Sequence, residues 1–490
     1  MTGMTHRLLA LDALQHSDAQ ESAECAEPRP IERGARLVIT AEGSSRVVMQ
    51  LPRGNLETIE PRPLILLRAQ HLIHAGQLLD CLILLRKQRV DLNYLIDYSP
   101  RIFFDCLSGL VSSMLKTNHD LISLLVTALE PVDVTLYKYP LDRNCQALHE
   151  PREVQNFTGA DKVNKVCAAV RSALLPVLLA SRQATPVDDV YSSRILQPIL
   201  CTFARQQPPK LVEALDLVRL CCTKDGVISC TTTGSGVDTV HTAVVVGGHP
   251  NLSSLMAQVS IKYLAFLAEG AQLFDAALGI CDFDMSRAVA RQCQMDPKAY
   301  LPLVESFEAI GRGFALTSPH TALMHFKVNA HLKRHTRAID WTVHLLQRIY
   351  VVESTPDGVD TSPVDMRSDI VTVIYELKSF IKAEALHTYA LPRLSGLQES
   401  LSLDPVAVLA GSKNMSISEF SASECSYAVL ICRLLSDLRL EYGLLCASKM
   451  EYAEGIASIL ATQPVYALEA VEVAKQMGNW QLALSIAGKG

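Results

Sequence analysis

Two periodicities divide the chain. Two short β-branched runs, ARLVIT from Ala35 to Thr40 and RVVMQL from Arg46 to Leu51, flank the turn-rich stretch from Ala41 to Ser45. That is the pattern of a β-hairpin. From Leu64 onward apolar positions recur at helical spacing and strand signals nearly vanish. The switch falls in MQLPRGNLETIEPRPLIL, Met49 to Leu66. Pro52 has no N–H for a ladder and Gly54 permits a sharp bend, so the strand should stop there, with Arg53, Gly54 and Asn55 turning the chain. Pro61 and Pro63 suit the first turn of a helix, where a missing N–H costs little. A two-stranded hairpin buries too little to stand alone, so something upstream is expected to pair with it.

Beyond the switch, Leu66, Leu67, Leu72 and Ile73 form one apolar face and Leu78, Leu79, Leu82, Ile83 and Leu85 a second, with Ala75 and Gly76 between them. This predicts a helix hairpin. Ser99 suits an N-cap and Pro100 the first helical position, with Ile102, Phe103, Cys106, Leu110 and Met114 inward; His119 and Asp120 start another helix. Loops are expected from Pro140 to Phe157, Arg182 to Ser192, Thr223 to Ser254, Glu353 to Asp365 and Asp404 to Ser421. The third, rich in Gly, Ser and Thr, reads as an exposed insertion between helices. Lys262 to Gly279 and Met366 to Ala390 read as strongly periodic helices. At the end, Leu468, Val471 and Ala474 line one helix, Gly478 and Asn479 turn the chain, and Trp480, Ala483, Leu484 and Ala487 line the next. Small residues let such a pair approach closely, the logic of TPR-like units, but no period of about 34 residues is visible. The fold class predicted is all-α: an irregular TPR-like α-solenoid over 63–490, preceded by a β-hairpin and junction over 35–62 and a disordered 1–34. The terminal pair needs a neighbour on its open side, so truncation is expected there.

Composition agrees. Hydrophobic residues make up 49% and aromatics only 6%, with two Trp, which favours helix packing over sandwiches. With 45 basic and 51 acidic residues the net charge is −6, so attraction to phosphate or acidic lipid must be local. The 14 cysteines contain no Cys-x-x-Cys, and Cys81, Cys106 and Cys293 occupy apolar helix positions, so they read as core residues in a reducing compartment. The brief apolar run from Leu8 to Leu14 holds Asp12 and lacks a cleavage pattern. No run approaches the ~18 uninterrupted apolar residues of a membrane span. A soluble, intracellular protein is expected.

Candidate chemistry is sparse. Asp282 and Asp284 could pair for acid–base work or a metal, but the simpler reading makes Asp284 the cap of a helix from Met285, and Asp296 the cap of a helix led by Pro297. His331 and His335, four apart, would share a helix face, yet Leu332 stands where a zincin needs Glu. His71 and His74 also lack further ligands. Lys327, Lys333, Arg334 and Arg337, with the two histidines, form a basic patch that is either a solvated face or a contact for RNA phosphate or an acidic partner. Arg86, Lys87 and Arg89 carry the same ambiguity. No nucleophile elbow, phosphate loop or cofactor fingerprint is present, so neither catalysis nor a bound cofactor or metal is expected.

LPRGNLETIEPRPLIL, followed by AGQLLDCLILLRKQRVDLNYLIDYSPRIFFD, resembles the centre of the largest, scaffolding subunit of the Elongator complex. A second block, KYLAFLAEGAQLFDAALGICDFDMSRAVARQCQMDPKAYLPLVE and then HFKVNAHLKRHTRAI, is similar to the same family in order and spacing, as is the terminal GNWQLALSIA. The motif positions are Pro52, Arg53, Gly54 and Asn55, then Asp282, Phe283, Asp284, Asp296 and Pro297, all with structural roles. Cys281 departs from the family's usual Tyr, and the insertion from Thr223 is long. The resemblance implies that the hairpin closes a WD40-type propeller and that a solenoid follows. It implies a scaffold for tRNA wobble-uridine carbon-5 carboxymethyl-type modification, in the cytoplasm and also the nucleus. The chemistry would belong to another, acetyltransferase-type subunit using acetyl-CoA, S-adenosylmethionine and an iron–sulfur cluster. The propellers, and a tail that in the family carries dimerisation and a basic tRNA-binding segment, are expected to be missing here, leaving tRNA contact indirect or weak. Vesicle-coat and intraflagellar-transport subunits share the propeller–solenoid plan without these motifs, and an RNA-binding solenoid is a third reading.

Overall fold

Three antiparallel strands open the computed structural model, in the order β1 (Arg36–Thr40), β2 (Val47–Gln50), β3 (Leu56–Ile59). The structure describes residues 31–40, 44–139, 159–183, 189–222, 229–233, 240–244, 252, 254–315, 317–354, 366–404, 408–409, 426–448, 459, 467–476 and 478–487. The expected hairpin pairs Arg36 with Gln50 and Thr40 with Val47. Among the described residues its additional partner lies downstream. Gly54, at φ 89°, donates its N–H to Leu51 O at 2.8 Å, and Leu51 N–H to Asn55 O at 2.8 Å closes the same turn. The chain therefore folds straight back, and LETI pairs with β2 from Gln50↔Leu56 to Val47↔Ile59. Val47 and Met49 are buried, while Leu37, Val38 and Ile39 of β1 are each more than half exposed. Of the opening stretch, 1–30 fall outside the described residues; 31–34 form a turn, with Ala35 N–H on Glu32 O at 3.0 Å.

The chain divides into two compact units, Met1–Ala276 with Arg291–Cys293, and Ala277–Ala290 with Gln294–Gly490. In the first, α1 (Arg62–His74) and α2 (Leu78–Lys87) make the expected hairpin about Ala75 and Gly76. Ile65, Ala69 and Ile73 face Leu78, Cys81, Leu82 and Leu85 inward, whereas Leu67 and Ile83 stay outside at 41% and 44% exposure. The short α3 (Tyr94–Asp97) follows, then α4 (Pro100–Thr117), whose Phe103, Leu107, Leu110, Val111 and Met114 are buried. Ser99 occupies the N-cap of α4 without a side-chain cap bond. The array continues through α5 (Asp120–Thr127), α6 (Val134–Tyr137), α7 (Gly159–Gln183), α8 (Asp189–Arg205), α9 (Leu211–Cys221), α10 (Leu255–Leu267) and α11 (Gly270–Gly279), whose residues from Ala277 onward belong to the second unit. Helix α7 packs on α4 and α8, and α8 on α5, α9 and α10.

By length and composition α7 is apolar enough to span a membrane. Its cations argue otherwise: Lys162 is wholly buried and Arg171 is 9% exposed, both bonded to neighbouring helices. It is a core helix of this unit.

The second unit contains α12 (Phe283–Gln292) apart from its last two residues, then α13 (Pro297–Gly311), α14 (Pro319–His331), α15 (His335–Ser354), α16 (Arg367–Glu384), α17 (His387–Ser400) and α18 (Tyr427–Ser448). One core joins α14 to α18 around Phe326, Ile339, Leu345, Ile374, Leu377 and Leu435. The last pair, α19 (Ala467–Gln476) and α20 (Trp480–Ala487), packs through Ala470, Val471, Val473, Ala474, Ala483 and Ile486. Leu468, Trp480 and Leu484, expected inward, are 80%, 61% and 72% exposed.

Three expected elements divide differently. Lys262 to Gly279 is two helices, because Ala268 turns extended at φ −123°, ψ 157°. Met366 to Ala390 breaks at Ala385, which adopts the left-handed conformation at φ 52° and bonds its N–H to Ile381 O. The insertion from Thr223 to Ser254 holds an antiparallel ribbon, β4 (Ser229–Thr233) with β5 (Val240–Val244), whose Thr and Val residues favour extended backbone. The expected loop after Arg182 is shorter than read, since α7 runs to Gln183 and α8 starts at Asp189. Those from Pro140, Glu353 and Asp404 lie largely outside the described residues. Stacked helix pairs without a fixed repeat make the fold class an irregular α-solenoid led by a small sheet.

Candidate interaction surfaces

The paired aspartates are structural, with one reassignment. Asp282, not Asp284, caps α12: its Oδ1 accepts from Met285 N–H at 3.1 Å and its carbonyl from Ser286 N–H at 3.0 Å. The helix starts at Phe283, one residue inside the motif, which leaves Asp284 in the first turn, solvent-facing and 3.2 Å from Arg287 Nη1. Arg287 also binds Glu308 of α13, and this ion pair holds the Glu308 carboxyl below its ordinary range. Asp296 caps α13 as expected, accepting from Lys298 N–H at 2.9 Å, with Pro297 leading.

The basic patch of the second unit is dispersed. His331 ends α14 and His335 starts α15, so the two do not share a helix. Between them Lys333 sits at φ 55°, reversing the chain. Lys327 Nζ is spent on Glu376 Oε1 at 2.9 Å. His335 lies 2.6 Å from Glu384 Oε1 and stacks on Phe380 with ring centroids 4.4 Å apart. Arg334 is drawn inward: its guanidinium fills the space a side chain at Gly279 would need, with Nη1 2.0 Å from the position of an added Cβ. Lys333, Arg337 and His331 remain exposed, and the His331 ring meets Phe307 edge-on at 5.6 Å. Of the four cations of this patch, Lys333 and Arg337 keep exposed charges.

In the first unit Arg86, Lys87 and Arg89 are all exposed. Arg62, which the sequence pattern did not connect with them, reaches across from α1, its Nη1 donating to Gln88 O at 2.9 Å. His74 is held by Tyr98, Nε2 to Oη 3.0 Å. Burial pushes the Cys81 thiol up to about 12, as befits a core residue. Cys106 and Cys293 are half-buried. Among the described residues, no group of three or more His, Cys, Asp or Glu side chains converges as a metal site would.

Sequence patterning also missed two buried cations of α7. Lys162 Nζ lies 2.7 Å from Asp97 Oδ1 and donates to Val132 O at 3.0 Å. Asp97 Oδ2 accepts from Val134 N–H at 2.9 Å, and burial pushes this carboxyl up to about 6 despite the Lys162 ammonium. Arg171 donates to Gln206 Oε1 at 3.1 Å and covers the Phe203 ring at 4.1 Å. The available signal was a cation on an apolar stripe, Lys162 beside Val163, Val166 and Cys167. These contacts fix the angle between helices and present no reactive group to solvent.

Residues 62–233 and 246–307 match the family described as the ELP1 alpha-solenoid. The chain is 28% identical over 311 residues to Elongator complex protein 1 of Schizosaccharomyces pombe, covering 64% of this chain and 20% of that protein. It is 29% identical over 303 residues to the Saccharomyces cerevisiae protein of the same name, covering 59% and 19%. Against that of Arabidopsis thaliana it is 28% identical over 313 residues, covering 63% and 20%. The aligned stretch spans about a fifth of the length of these relatives.

Proposed function

We propose that this chain, which belongs to the ELP1 alpha-solenoid family through residues 62–233 and 246–307, acts as a non-catalytic scaffold subunit of an Elongator complex. One observation carries this: the helical array matches that family, with the LPRGNLE turn leading into it and the DFD and DPKAYLP motifs at the starts of consecutive helices, α12 and α13. Stacked helix pairs suit such work, since each adds exposed contact surface without a preformed pocket. In this reading the chain holds an acetyltransferase-type subunit and supports carbon-5 carboxymethyl-type modification of wobble uridine in tRNA, in the cytoplasm. Its own contact with tRNA is slight, since Lys327, Arg334 and His335 are engaged within the fold.

The test is affinity purification of the tagged chain from its own cells, with the partners identified by mass spectrometry. The reading expects the acetyltransferase-type Elongator subunit among them. Recovery of vesicle-coat or intraflagellar-transport subunits in its place would overturn it. Loss of the wobble-uridine modification on depletion of the chain is the second expected result.

A further inference from the structure

Strand β1 lies at the edge of the three-stranded sheet, laddered to β2 on one side and met by no strand on the other among the described residues. All five of its residues are exposed, and Leu37, Val38 and Ile39 are each more than half so. Such an edge is a template for a further strand, because its outward N–H and C=O groups can pair with an extended backbone laid along it. Folded chains blunt their edges with charges or proline. The other edge, β3, carries Glu57 and ends two residues before Pro61, whereas nothing from Leu37 to Thr40 is charged or proline.

The order of side chains says which strand fits. RLVIT reads polar, apolar, apolar, apolar, polar in both directions, so two copies laid antiparallel about Val38 match throughout. Val38 then meets Val38 of the second copy, Leu37 meets Ile39, and Arg36 meets Thr40. In-register parallel pairing would instead set Arg36 beside Arg36, a like-charge neighbour that destabilises a ladder. A two-fold contact of this kind is also the commonest symmetry of a dimer, since one patch serves both copies. The β1–β2 ladder slips by one residue between Leu37 and Ile39, which leaves Val38 as the extra residue with no partner in β2. The centre of such a pairing is thus the position least committed to the sheet.

We propose that β1 pairs with β1 of a second copy of this chain, antiparallel about a two-fold axis at Val38, joining the two sheets into one. A single strand pair buries less than a standard interface of about 1,600 Å², so the dimer forms reversibly with concentration. The inference concerns the sheet alone and does not depend on which complex the chain joins. The test is sedimentation equilibrium of the purified full chain from about 1 to 100 μM, over which the wild type should pass from monomer to dimer. Val38→Lys sets two ammonium groups together at the axis and should weaken association by about tenfold or more, as should Val38→Glu with two carboxylates. Both variants should keep the sheet and the helices, since Val38 has no partner in β2, and circular dichroism checks this. An equimolar mixture of V38K and V38E should associate again, as a heterodimer with opposite charges paired at the axis. A wild type that stays monomeric throughout overturns the proposal, and so does association that both substitutions leave unchanged. A mixture as monomeric as either variant alone overturns it too, because the two side chains then do not meet.

Discussion

Lys162 on α7 and Asp97 on α3 meet at 2.7 Å with side chains 0% and 1% exposed, 65 residues apart in sequence. Taking two charges out of water costs several kcal/mol each, and mutual attraction offsets that only while both are present. Lys162→Met should therefore destabilise the chain by about 3–5 kcal/mol, since it strands a buried carboxyl. K162M/D97N should recover most of the loss, because the Asn oxygen can still accept from Val134 N–H without a charge. Urea unfolding followed by far-UV circular dichroism measures both. A double variant as unstable as the sum of its single changes would show that the charges contribute independently.

Gly279 and Arg334 form a second coupled pair. With Nη1 2.0 Å from an added Cβ, any side chain at 279 evicts the guanidinium. Gly279→Ala should cost about 1 kcal/mol, the scale of displacing one packed side chain. Arg334→Ala should cost a similar amount. In G279A/R334A the two losses should not add, because the second change removes what the first displaced. Strict additivity in a thermal-denaturation cycle would mean that the two residues do not share the space.

What sequence could show depended on how local the cause was. The turn at Gly54 and the cap at Asp296 rest on chemistry within three residues, and both were legible. The third strand was not, because LETI follows a turn closely and precedes two prolines that pointed to a helix. The break at Ala385 carries neither Gly nor Pro, and the one at Ala268 only the lone Gly270, so periodicity ran through them. The cations around Lys333 looked like one patch because they are consecutive; their fates were set by Glu376, Glu384 and Gly279, some fifty residues away. Arg62 and Gln88 posed the reverse problem, since only the folded hairpin brings them together.

The reassigned cap separates two aspartates that sequence ranked the other way round, with Asp284 as the cap. Asp282→Ala removes the acceptor for Met285 N–H and should cost about 1 kcal/mol. Asp284→Ala removes only an exposed contact to Arg287, whose stronger partner is Glu308, and should change stability by less than about 0.5 kcal/mol. Thermal melts of the two variants in one buffer rank them. A larger loss for Asp284→Ala would return the capping role to it.

His325 and Trp341 supply a titration with its own reporter. The rings are stacked with centroids 3.9 Å apart, and burial, helped by Arg348, pushes the imidazole down to about 4. An unfolded histidine titrates near 6.5, so between about pH 6.5 and 4 the unfolded chain binds the extra proton. The stability that neutral His325 contributes is complete above that window and is lost as pH falls through it, reaching about 2 kcal/mol near pH 5. His325→Phe keeps an aromatic ring against Trp341 and removes the titration. The stability difference between wild type and H325F should thus be flat above about pH 7 and turn against the wild type on acidification, while shared carboxylate effects cancel. Urea unfolding followed by tryptophan fluorescence across that range measures it. A difference independent of pH would mean that the ring is protonated as readily in the fold as in water.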